Sequence, residues 1–156
     1  MGAATIMGGF EDILENYALL FFYTPLIAAM AGNVGVQSSA IIVQGLANDE
    51  VKGSIVSRLI KEMALAALNG ILLGLALFAF TALYYHGEPD SFKTALAISI
   101  SLFAVIIMAG IIGTFIPLFL HKRGIDPAIA TGPFITTSND IFGILIYFWI
   151  AKIILF

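Results

Sequence analysis

The 156-residue chain has no cysteine, a single tryptophan and few charges: seven Lys and Arg and ten Asp and Glu, 11 % of the residues. Without cysteine there is no disulfide, no thiol nucleophile and no Cys-ligated zinc. Soluble domains carry about 25 % charged residues, so a chain with 11 % lacks the polar surface a soluble globule needs. A net charge of −3 with no basic stripe argues against a nucleic-acid partner. Both histidines, His86 and His121, fall in polar connecting segments, so no Ser–His pair sits in an apolar stretch. A P-loop, a dinucleotide fingerprint and an HExxH motif are all missing. An intramembrane aspartyl protease needs two aspartates within apolar stretches, and this chain has one. The residue inventory therefore points away from an enzyme.

What the chain has instead is apolar length. Sixty per cent of its residues are hydrophobic and the mean hydropathy is +1.03. Residues 16–48, 63–85 and 94–120 contain no Asp, Glu, Lys, Arg or His, and residues 127–151 contain one, Asp140. A membrane span needs about 20 such residues. The expected fold is all-α: a polytopic helical membrane protein, one domain over residues 1–156, with spans near 17–47, 63–85, 94–120 and 127–151. Residues 1–9 are apolar but too short to span, and read as the remnant of a further helix. Basic residues mark cytoplasmic loops. Lys52, Arg58 and Lys61 place the loop 49–62 inside, and Lys122 and Arg123 do the same for 121–126. The acidic segments at 11–15 and 87–93 then lie outside, consistent with four spans in a plasma (inner) membrane. Residues 49–62 show helical spacing, either along the interface or as an extension of the next span.

Two segments break the rule that lipid-facing helices are uniformly apolar. In residues 24–44, Asn33, Gln37 and Gln44 share one helical face at i, i+4 and i+11, with Gly32 and Gly35 beside them. Polar amides at depth are unfavourable unless partnered or wet, so the segment is either helix–helix glue or a hydrated path. In residues 126–147, Asp126-Pro127 is a helix-start signal. Pro133, beside Gly132, then breaks or kinks the helix and frees carbonyls. Thr136, Asp140, Gly143 and Tyr147 follow on one face. Asp at a helix centre costs about 2.5–3.5 kcal/mol on insertion scales. An intramembrane carboxylate is a functional candidate by default, and no basic residue lies in any of the four stretches to pair with it. Its cation is then a proton or a metal ion. Gly70-x-x-x-Gly74 reads as a packing motif, Pro117 as a kink, and Glu62 as a partner for Arg58 or Lys61 or as part of a pore mouth.

Taken together, PLIAAMAGNVGVQSSAIIVQGLANDE (25–50) and DPAIATGPFITTSNDIFGILIYF (126–148) resemble the two signature stretches of the MgtE family of magnesium transporters. The resemblance implies a homodimeric, Mg²⁺-selective channel with its pore at the dimer axis, between the helices that carry those segments. It implies Mg²⁺ as the transported ion and Asp140 as the ion-selecting carboxylate, with the Thr136 main-chain carbonyl facing the ion. Gly32, Asn33, Gly35 and Gln37 would line the path, with Gly132, Pro133, Thr137 and Gly143. The family often has a polar residue where this chain has Gly132. Asp126 matches an acidic residue at the cytoplasmic mouth, where Glu62 is a second candidate. The family's first membrane helix survives here only as its tail, and its cytosolic regulatory domains are absent from these 156 residues. The expected partners are a second copy, membrane lipid and Mg²⁺. The alternatives are a proton-coupled divalent-cation carrier that protonates Asp140, and a structural subunit whose polar seam is only an interface.

Overall fold

In the computed structural model, residues 2–48, 55–130 and 132–156 are described, and every regular element among them is helical. Two short helices, α1 (Gly2–Gly8) and α2 (Glu11–Asn16), precede α3 (Leu19–Ala47), α4 (Ile55–Tyr84) and α5 (Ser91–Lys122). A single 3₁₀ turn, Pro127–Ala130, leads to α6 (Pro133–Leu155). Among the described residues, four helices are long and apolar enough to cross a membrane: Leu19–Ala47, Leu59–Tyr84, Ser91–Lys122 and Pro133–Leu155. The shortest has 23 residues and so reaches about 35 Å, against a hydrocarbon core of about 30 Å.

Helix α5 is the central post, packed against α3, α4, α6 and the 3₁₀ turn. Its sequence explains that place. Ala95, Ala97, Ser99, Ser101, Ala109, Gly110 and Gly113 are small and buried, and small residues let helix backbones approach where lipid supplies no hydrophobic driving force. Ile98, Leu102, Val105 and Ile106 fill the spaces between, against Leu20, Ile27, Tyr147 and Phe148. The Gly70-x-x-x-Gly74 motif belongs to this seam: a methyl on Gly70 would lie 2.8 Å from the Phe103 ring, and one on Gly74 3.4 Å from the Ser99 carbonyl. The outer face of α4 shows Leu65, Leu68, Leu72, Leu75 and Leu83. Such a continuous apolar face is untenable in water and ordinary in lipid.

Several polar groups inside the bundle are paired across helices. The Tyr23 and Thr81 hydroxyls are 2.8 Å apart. Tyr147 donates its hydroxyl to the Leu20 carbonyl at 2.9 Å, which also accepts from Thr24 Oγ1 at 3.1 Å. Ser101 donates to the Tyr147 carbonyl at 3.3 Å. At one end of the bundle Tyr17 donates to the Leu155 carbonyl at 3.4 Å, so the start of α3 meets the end of α6. The acidic segments 11–15 and 87–93 share that end, and the basic segment at Lys122 and Arg123 lies at the other.

The boundaries differ from the expected spans in three places. Residues 55–62 continue directly into α4, the extension reading of that segment. Residues 49–54, with Lys52, lie outside the described residues, as does the Arg58 side chain. The first long span begins at Leu19, after a break at Tyr17 and Ala18. The fourth is divided. Asp126 accepts the Ala128 N–H at 2.9 Å, the capping its sequence announces, but the helix so started lasts one 3₁₀ turn. The long helix restarts at Pro133, its first residue, where a missing N–H removes no helical bond. Gly132 supplies the reversal, at φ 60° and ψ −125°.

Candidate functional site

The two polar segments meet between α3 and α6. A cleft of ≈ 480 Å³ is lined by Ala28, Ala29, Gly32, Asn33, Val36 and Gln37 of α3 and by Thr136 and Asp140 of α6. The spacing of Ala29, Asn33, Val36 and Gln37 is that of one helical face. Asn33, Gln37 and Gln44 are exposed on it, while Gly35, Ser38, Ser39 and Ile42 point into the bundle. Gly32 makes the floor: a methyl there would lie 3.3 Å from Thr136 Cγ2 and 3.8 Å from Asp140 Oδ1. The Thr136 hydroxyl donates to the Gly132 carbonyl at 2.9 Å, tying the site to the first turn of α6.

Asp140 is partly exposed to this cleft, and no basic side chain among the described residues pairs with it. It lies seven residues from the start of α6, about 10 Å along the axis. That is nearer the helix end than residues 127–151 suggest, because six of those residues are spent before Pro133. Its depth is central all the same. It stands level with Gly32, which is the middle of α3. Irregular backbone such as that at Gly132 is tolerated at membrane depth only against protein or a wet cavity.

The remaining candidates are dispersed. Pro133 and Thr137 are exposed on α6 and Gly132 is half-buried, but none of the three lines the cleft. Gly143 is buried, with Ala31 Cβ and Val105 Cγ1 each 3.3 Å from where its methyl would be. Tyr147 is fully buried. The stripe of α6 that begins at Thr136 and Asp140 is thus covered by α3 and α5 from Gly143 onward. Gly35 is buried against α5 and α6. Asp126 is exposed at the 3₁₀ turn, and Glu62 is buried on α4; both lie outside the cleft. Among the described residues no three of His, Asp and Glu converge as a metal site would require. Sequence reasoning passed over Asn139, which is buried with both amide atoms unpartnered. The signal for it was its position four residues after Ile135, on the face opposite lipid.

A larger cleft, ≈ 860 Å³, lies at the other end of the bundle among Asn16, Tyr17, Glu88, Asp90 and Phe156. Its Asp90 is paired with Lys93 at 3.6 Å, and it contains nothing from the two polar segments. The candidate residues of the two polar segments line the smaller cleft.

A sequence model of the MgtE family, described as a divalent cation transporter, matches residues 24–150. The chain belongs to the MgtE family. That match takes in both polar segments and every residue of the cleft. Relatives named magnesium transporter MgtE occur in Bacillus subtilis (37 % identical over 150 residues), Enterococcus faecalis (35 % over 153) and Thermus thermophilus (31 % over 156). These alignments cover 96 %, 97 % and 99 % of this chain and 32 %, 33 % and 34 % of the relatives. The chain spans about a third of the length of the curated relatives it matches. With its four spanning-length helices, this MgtE-family chain is an integral, multi-pass membrane protein, and its relatives are named as transporters rather than enzymes.

Proposed function

We propose that this chain forms a Mg²⁺-conducting pore in which two copies face each other across their clefts and Asp140 recognises the hydrated ion. The observation that carries the reading is a carboxylate with no basic partner among the described residues, level with the middle of α3, in a cleft it shares with Asn33, Gln37 and Thr136. The names of the relatives supply magnesium as the ion. Mg²⁺ prefers six oxygens at about 2.0–2.1 Å and gives up water reluctantly. One carboxylate per chain is no substitute for six ligands. Six waters occupy about 180 Å³ at about 30 Å³ each, so a cleft of ≈ 480 Å³ accommodates the ion with its shell. Recognition then runs through that shell: Asp140 and neighbouring carbonyls, including that of Thr136, accept hydrogen bonds from the ion's waters. Asn33 and Gln37 extend the wet surface along α3 toward its C-terminal end.

In a dimer the two Asp140 carboxylates set −2 against +2, and a divalent ion relieves their mutual repulsion. Binding must remain weak enough for release. The membrane potential drives influx with about 2.3 kcal/mol per charge per 100 mV. The test is Mg²⁺ influx into liposomes that hold the purified chain, wild type beside Asp140→Ala. Influx in the wild type and none in the folded variant supports the reading. Equal influx in both sinks it. Influx that needs a counter-flow of protons and runs at carrier rates replaces the pore with a proton-coupled carrier.

A further inference from the structure

Beside the cleft, where α3 turns into the bundle, Gly35, Gly113 and Asn139 meet at the crossing of α3, α5 and α6. A methyl on Gly35 would fall on Nδ2 of Asn139, and one on Gly113 would fall on the Gly35 carbonyl oxygen. Only glycine permits this approach, and the Asn139 side chain fills the notch so formed. Asn139 is 0 % exposed, and neither end of its amide has a hydrogen-bond partner. An unpaired buried amide is unfavourable, so stability does not account for an amide here. Next to Gly113 in sequence, Thr114 Oγ1 on α5 is likewise buried and unpartnered, and Pro117, four residues after Gly113, has no N–H to donate to its carbonyl.

What this seat does control is direction. Successive helical residues point about 100° apart. With Asn139 held in the notch at Gly35, the next residue, Asp140, is aimed into the cleft beside Gly32, one turn away on α3. We infer that Asn139 is a positioning residue for Asp140: its seat at the Gly35–Gly113 crossing sets the rotation of α6 and, through it, which hydrated cation the carboxylate fits. The inference rests on the reading of the cleft as the ion path. Recognition through water depends on the distance between carboxylate and shell. A small rotation therefore degrades discrimination before it abolishes flux.

The test uses the whole chain in liposomes, with Mg²⁺ and Ca²⁺ flux measured separately. Asn139→Ala empties the notch. It is expected to raise the half-saturating Mg²⁺ concentration, and to lower the Mg²⁺:Ca²⁺ flux ratio, by about threefold or more. Gly35→Ala evicts the amide and gives the same shift. In the double variant the methyl added at position 35 takes the vacated space, and the ratio returns toward wild type, a non-additivity that independent structural defects would not produce. An unchanged ratio and half-saturation in Asn139→Ala overturn the inference. If that variant does not fold, Asn139→Ser is carried through the same two readouts. Asp140→Asn in the same liposomes separates the two possible failures. Wild-type flux there removes the cleft reading itself, whereas lost flux there with an unmoved ratio in Asn139→Ala removes only the positioning role.

Discussion

At Asp140, charge and reach can be separated. Asp140→Asn keeps the shape and removes the charge, so flux should fall to the background of empty liposomes. Asp140→Glu keeps the charge and moves it by one methylene. It should still pass divalent ions while its Mg²⁺:Ca²⁺ ratio falls, because the carboxylate meets the water shell from a different distance. A Glu variant as selective as wild type would argue against recognition at a set distance. Tyr147 offers the opposite case, a polar residue on the same stripe of α6 with no part in the site. Its hydroxyl donates to the Leu20 carbonyl, which keeps a second side-chain donor, Thr24. Interhelical hydrogen bonds in membranes average about 0.6 kcal/mol. Tyr147→Phe should therefore lower stability by about that much, read as a small fall in detergent unfolding temperature, with Mg²⁺ flux unchanged.

For helices as units, the sequence was informative where hydropathy alone decides and silent where neighbours decide. Apolar runs announce four spans because lipid demands them along the whole length. The restart of the last helix was harder to read. Asp126-Pro127 and Gly132-Pro133 are both sound helix starts, and what separates them is the reversal at Gly132, which depends on how α6 packs. Periodicity placed Thr136 and Asp140 on one face, as they are. It placed Gly143 and Tyr147 there too, because a period cannot tell which part of a stripe another helix covers. Asn139 was hidden for the same reason: its importance lies in the absent side chains at Gly35 and Gly113, on two other helices. The reversal itself can be tested. At φ 60° and ψ −125° Gly132 occupies a region that side chains avoid, although no neighbouring atom lies within 4 Å of a methyl placed on it. Gly132→Ala should thus cost about 1–3 kcal/mol through the backbone alone. Gly87→Ala, with the same open surroundings and no positive φ, should be close to neutral. Equal unfolding temperatures for the two variants would show that the turn before α6 tolerates a side chain.

Across the whole molecule the question is what covers the open side of the cleft. Asn33 and Gln37 are exposed at its rim, and polar amides facing lipid are unfavourable. A second copy of the chain would bury them and bring two Asp140 carboxylates to one ion. The lack of cysteine makes this directly testable, because one introduced thiol reports without background. Two cysteines bridge only when their Cα atoms lie within about 7 Å. Asn33→Cys, oxidised in the membrane, should yield a covalent dimer if the clefts face each other near that position. Leu83→Cys, 75 % exposed on the outer face of α4, should remain monomeric under the same oxidant. Dimers from Leu83→Cys and none from Asn33→Cys would place the contact on α4. The α3–α6 cleft would then be left facing lipid, where a hydrated ion has no reason to bind.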